Sequence, residues 1–140
     1  MKRLPVLLAA AAATLALAAA AGACGDTPNA VNLVLTPDVK PALRHAYIAA
    51  NPAVASELVP APVPGRTYYG FHVGIRYALA TFAVPGHSAY PAIFTDQGRG
   101  RWKLLRLSGG LVCARDVPVD LIQAWALVPW RRGCYSEPGS

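Results

Sequence analysis

Apolar residues recur at every second position from Tyr69 to Leu79, as Tyr69, Phe71, Val73, Ile75, Tyr77 and Leu79, with a mixed set between them that includes Tyr68, Gly70, His72, Gly74 and Arg76. A period of two belongs to a half-buried β-sheet, because successive side chains on a strand point to opposite faces. Thr67 to Phe82 is too long for one ordinary strand of about 5–6 residues. Gly70 and Gly74 supply the backbone freedom for a reversal, so the pattern predicts a hairpin turning near His72–Gly74. Its strands cover roughly Thr67–Phe71 and Ile75–Val84, ending before Pro85-Gly86. Tyr90–Thr95 and Arg101–Leu107 read as two more strands, separated by the turn-forming Asp96-Gln-Gly-Arg-Gly100.

Helical spacing occurs twice. Val39, Leu43, Ala46, Tyr47 and Ala50 form one apolar stripe on a helix of about four turns. Thr36-Pro37-Asp38 introduces it with a capping hydroxyl, a proline at the first position and a carboxylate at the positive end of the helix dipole. Pro41 is expected past the first turn, where it removes a backbone bond and bends the helix. Asn51-Pro52 ends the element, and Pro52–Arg66, carrying Pro52, Pro60, Pro62 and Pro64, reads as an extended connector with one helical turn near Ser56–Leu58. From Pro118, Leu121, Ile122, Trp125 and Val128 repeat at helical spacing until Pro129. The predicted fold is α+β: a four-stranded antiparallel meander packed by an N-terminal and a C-terminal helix, in one domain over residues 36–140.

The N-terminus follows another plan. Met1-Lys-Arg3 is basic, Leu4 to Ala21 is an unbroken apolar run, and Gly22-Ala23-Cys24 precede the polar Gly25-Asp26-Thr27. This is the three-part pattern of a signal peptide, here residues 1–23, followed by a tether over residues 24–35. A membrane-spanning anchor is the competing reading, since about 18 apolar residues just span a bilayer. Alanine dominates the run, however, and small residues stand where cleavage occurs. Ala21-Gly22-Ala23-Cys24 resembles a bacterial lipobox with alanine in place of the usual leucine, which implies a lipid on Cys24. The same Ala-Gly-Ala also satisfies an ordinary signal peptidase. The chain has three cysteines. Lipid on Cys24 leaves Cys113 and Cys134 as an even pair in an oxidising compartment, where a disulfide is expected. Closing a loop of about 20 residues in this way is worth about 3 kcal/mol. The expected location is the extracytoplasmic face of the membrane, lipid-anchored through Cys24, or secreted.

Net charge is +6; without Lys2 and Arg3 of the leader, 11 basic residues stand against 7 acidic, a balance of +4. That excess suits an anionic envelope surface and, outside the cell, does not point to nucleic acid. The 54 % hydrophobic and 14 % charged composition is that of a chain that folds.

Candidate chemistry is sparse. The sequence lacks G-x-S-x-G, P-loop, H-E-x-x-H and C-x-x-C motifs. His45, His72 and His87 have no local metal-ligand spacing, and Ser88 is only a sequence neighbour of His87. Asp96, Asp116 and Asp120 fall at turns or a helix start, where capping accounts for them. No catalytic residue, metal or cofactor is therefore predicted. Two constellations remain. Tyr68, His72 and Arg76 share the even-numbered positions of the hairpin, so an exposed even face would gather a phenol, an imidazole and a guanidinium able to bind a carboxylate or phosphate. The alternative packs Tyr68 under the proline connector and leaves the other two in water. Arg101 and Trp102, with Arg99, Lys103 and Arg106 nearby and Trp130-Arg131-Arg132 further on, suit a contact with a protein or an anionic envelope polymer. The alternative there places Trp102 and Trp125 in the core.

Arg66-Thr-Tyr-Tyr-Gly70, Tyr77-Ala-Leu-Ala-Thr-Phe82, Asp96-Gln97, Gly100-Arg-Trp102, Gly109-Gly-Leu-Val-Cys113, Val117-Pro118, Trp125 and Cys134-Tyr135 occur in one order. In these the chain resembles small exported, lipoprotein-like proteins of high-GC Gram-positive bacteria, over about Thr36 to Tyr135. That resemblance implies export and a common fold and carries no activity. The expected function is an envelope-tethered, non-enzymatic binding or interaction module of unknown ligand. The alternatives are a secreted inhibitor-like protein or a small enzyme using His72 or His87.

Overall fold

The computed structural model describes residues 29–52, 61–98 and 100–139. The leader, Cys24, the start of the tether, the turn expected near Ser56–Leu58 and Arg99 lie outside the described residues. Ten elements follow in order: β1 (Ala30–Asn32), α1 (Val39–Ala50), β2 (Ala61–His72), β3 (Ile75–Ala83), β4 (Pro91–Asp96), β5 (Lys103–Leu107), β6 (Val112–Cys113), α2 (Val119–Ala124), β7 (Val128–Arg131) and β8 (Cys134–Ser136).

The fold is α+β, with one disulfide and, among the described residues, the two helices α1 and α2, but the main sheet has five antiparallel strands rather than four, in the order β1-β2-β3-β4-β5. A second sheet of three strands, β6-β8-β7, was not expected from the sequence pattern. The extra main-sheet strand is β1, which lies where a tether was expected: Val31 sits opposite Phe71, and Leu33 donates its backbone N–H to the Tyr69 carbonyl at 2.8 Å. The proline connector is also part of the sheet, because β2 begins at Ala61. Its register shifts between Pro62 and Thr67, and Pro62 and Pro64 occupy a stretch where a missing N–H is tolerated.

Both faces of the main sheet are covered, so it is not half-exposed. On one face α1 sets Val39, Leu43, Ala46 and Tyr47 against Tyr69, Ala78, Ala80, Phe82 and Phe94. The Tyr47 and Phe82 rings stack with centroids 4.4 Å apart. On the other face α2 sets Leu121, Ile122 and Trp125 against Leu79 and Ile93, with Val112 and Val117 closing the side. Neighbouring residues of β3 and β4 thus serve different cores, which explains why Ala78, Leu79 and Ala80 are all fully buried.

The start of α1 differs from its sequence reading. Asp38 is the residue before the first helical one, and Thr36 turns its hydroxyl to the Asp38 carboxylate, holding that group below the ordinary carboxylate range. Because the helix begins at Val39, Pro41 is third in it. Its missing N–H falls among those that have no partner within the helix anyway, so Pro41 costs no bond. At the other end the Asn51 side chain donates to the Tyr47 carbonyl at 2.9 Å. The second helix is shorter than its periodicity suggests. Ala126 turns into the left-handed region (φ 55°), and Val128, expected on the helical stripe, is exposed on β7 while Leu127 is buried.

Cys113 and Cys134 are bonded, with Cα atoms 4.0 Å apart. They are directly opposed across β6 and β8, so the bond is a rung of the small sheet. Among the described residues no helix is long and apolar enough to cross a membrane.

Candidate functional site

The hairpin separates the first predicted constellation. The β2–β3 turn is Val73–Gly74, with His72 opposite Ile75 and Phe71 opposite Arg76. Directly opposed residues share a face, so a two-residue turn of this register puts even positions of β2 with odd positions of β3. Tyr68 and His72 therefore belong to the α2 face and Arg76 to the α1 face. Tyr68 is half-buried against Trp125, with ring centroids 6.0 Å apart. Burial raises its phenol pKa above the ordinary value, the Glu137 charge adds to the rise and the Arg66 charge opposes it. Arg76 instead places Nη1 3.5 Å from Oδ2 of the buried Asp96. That carboxylate also accepts the Gly100 N–H at 3.1 Å, so Asp96 caps its turn as expected and anchors Arg76 as well. His72 stays half-buried near the turn.

Arg101 and Trp102 line one groove. A groove of about 720 Å³ runs between α1 and the start of β5, floored by Ala46, Ala49, Ala50 and Trp102 and edged by His45 and Arg101. Lys103 lines it too, and together with Arg101 it lines the adjoining polar hollow of about 540 Å³ beside Asp96 and Gln97. Trp102 has two roles, since it packs edge-on against Tyr69 at 5.8 Å and adjoins the α1 core while lining the groove. The other flank of α1 carries Lys40 and Arg44 around a third hollow. Asp96 is engaged by Arg76, and the Asp38 carboxylate keeps its charge while accepting the Thr36 hydroxyl, so Arg101 and Lys103 are the cations that line the first groove. His45, given no part by the sequence reading, lines both grooves.

The histidines occupy three separate places: His45 on α1, His72 beside the β2–β3 turn, and His87 in the exposed stretch over 85–90, at the opposite end of the sheet. His72 and His87 therefore do not form one site, and Ser88 is exposed next to His87. Among the described residues no group of three His, Cys, Asp or Glu could hold a metal ion.

One polar cluster escaped the sequence reading. Glu137, only 4 % exposed, accepts the Thr81 hydroxyl at 3.1 Å and lies 3.7 Å from Arg66 Nε. It ties the C-terminal tail to β2 and β3. The only local signal was a threonine inside an apolar strand, and its partner lies 56 positions away.

Comparison with protein families, curated proteins and solved structures returns no match to this chain.

Proposed function

We propose that this protein is an exported, envelope-tethered binding module without catalytic activity, lipidated at Cys24, and that the groove between α1 and β5 takes an acidic partner. The observation that carries the reading is the groove itself: an apolar floor with Trp102, flanked by Arg101, Lys103 and His45. Such a surface offers stacking area and cations together, the combination that recognises acidic groups carried on a bulky scaffold. The lipobox-like Ala21-Gly22-Ala23-Cys24 and the likeness to small exported proteins of high-GC Gram-positive bacteria support the location. The partner is an acidic protein segment or an anionic envelope polymer.

The test pairs Arg101→Glu with Lys103→Glu, both exposed, and spares Trp102 because it also packs into the core. The acylated wild-type chain should retain material from an envelope extract at low ionic strength and release it at high. The charge-reversed chain should retain little. Equal retention by both overturns the groove as the binding site.

A further inference from the structure

We propose that the β2–β3 turn is a membrane-docking tip, with Val73 at its apex and Phe71 and Val31 behind it resting in the interface of the bilayer that holds the chain. This rests on the reading of Cys24 as the lipid-bearing residue.

The first observation is a misfit. Val73 and Gly74 both adopt left-handed backbone, with φ of 44° and 82°. A two-residue hairpin turn of this kind favours Asn-Gly, because asparagine and glycine enter that region at little cost. A β-branched residue there is a genuine outlier. Val73 is also 69 % exposed. The chain thus accepts backbone strain and an exposed apolar side chain at one position, although an asparagine would relieve both. Strain kept in this way points to a use for the side chain.

The second observation is continuity. Val31 and Phe71 are directly opposed on β1 and β2 and are 40 % and 38 % exposed. With Val73 two positions beyond Phe71, three apolar side chains lead from the sheet edge to the turn.

The third is where the tether begins. Ala30 lies opposite His72, so Asn29 draws level with the turn. Asn29 is five residue steps from Cys24, with four residues between them, and a chain of that length reaches at most about 18 Å. A domain of this size has a radius of gyration of about 13 Å. A lipid on Cys24 therefore brings the turn end of the sheet to the bilayer and holds the far end, with the stretch over 85–90, in water. Three apolar residues are too small a contact to anchor a protein; their effect is to fix its orientation.

The test uses the full chain, processed by its host and reconstituted in vesicles of phosphatidylglycerol and phosphatidylcholine, part of the latter brominated. Mass spectrometry of the N-terminal peptide reads acylation. A polarity-sensitive fluorophore on Val73→Cys should shift to the blue and be quenched by bromolipid, whereas the same label on Ser88→Cys at the far end should do neither. An acylated chain quenched alike at both sites overturns the docking tip and leaves the binding reading standing. A chain without the acyl group overturns the tip and the tether together. The fluorophore is itself apolar, so Val73→Asn in the unlabelled chain supplies a second measurement. Its thermal midpoint should rise as the strain is relieved, while amide exchange over 71–76 on vesicles, slowed in the wild type, should return to the rate of the soluble Cys24→Ala chain. Equal exchange in wild type and Val73→Asn on vesicles overturns the proposal.

Discussion

Gly70 sets how closely α2 approaches β2. A Cβ at this position would run into Leu121 Cδ1 and would lie 3.0 Å from the Val31 carbonyl oxygen and 3.1 Å from Trp125 Nε1. Leu121 and Trp125 are buried and the Val31 oxygen is backbone, so none of the three yields easily. Gly70→Ala should cost about 1–3 kcal/mol, the usual range for overpacking. A urea midpoint equal to that of the wild type would show that α2 can move away without penalty. In the sequence Gly70 looks like a residue of the reversal, whereas the reversal belongs to Val73–Gly74. The two uses of glycine look the same in one dimension, because the side chains that exclude a Cβ come from about fifty positions downstream.

Each helix is seated on the sheet partly through a tyrosine. Tyr47 of α1 stacks on Phe82, and Tyr68 of β2 lies beneath Trp125 at the end of α2. Burial raises both phenol pKa values above the ordinary 10.0. A pKa raised on folding means that the folded state keeps its proton longer, so the stabilisation is complete below pH 10 and is lost as pH climbs through the raised values. The thermal midpoint should therefore fall steeply above pH 10, and less steeply in a Tyr47→Phe, Tyr68→Phe chain. Parallel curves for the two proteins would remove the tyrosines as the cause. At this scale much was legible in the sequence. The α1 stripe was plain in Val39, Leu43, Ala46 and Tyr47, and β3, β4 and β5 fall close to their predicted places. The end of α2 was not, because Ala126 takes the left-handed turn with no glycine to announce it. The face of Arg76 was not either, since it depends on whether the turn holds two residues or three. That single count dispersed one predicted site, while Arg101 and Trp102, close in sequence, stayed together.

Over the whole molecule the disulfide, the small sheet and α2 form one unit laid against the larger sheet. The bond closes a separation of 21 residues that contains α2 and β7. Replacing Cys113 and Cys134 with alanine should lower stability by about 3 kcal/mol. Hydrogen exchange should show α2 and the β6-β8-β7 sheet losing protection before the strands over Tyr69 and Phe82, which α1 covers independently. Uniform loss across the chain would show that the clasp supports the entire fold instead.

The order β1-β2-β3-β4-β5 is also the order of synthesis and, on the exported reading, the order of passage through an export channel. Each strand's partner is the next to arrive, so the closing entropy of every pairing is that of a short loop, apart from the excursion through α1. With Cys24 taken by lipid, the two remaining thiols have only one possible pairing. On the exported reading, the chain can assemble from its leading end as it emerges, and an oxidant has no wrong bond to make within it.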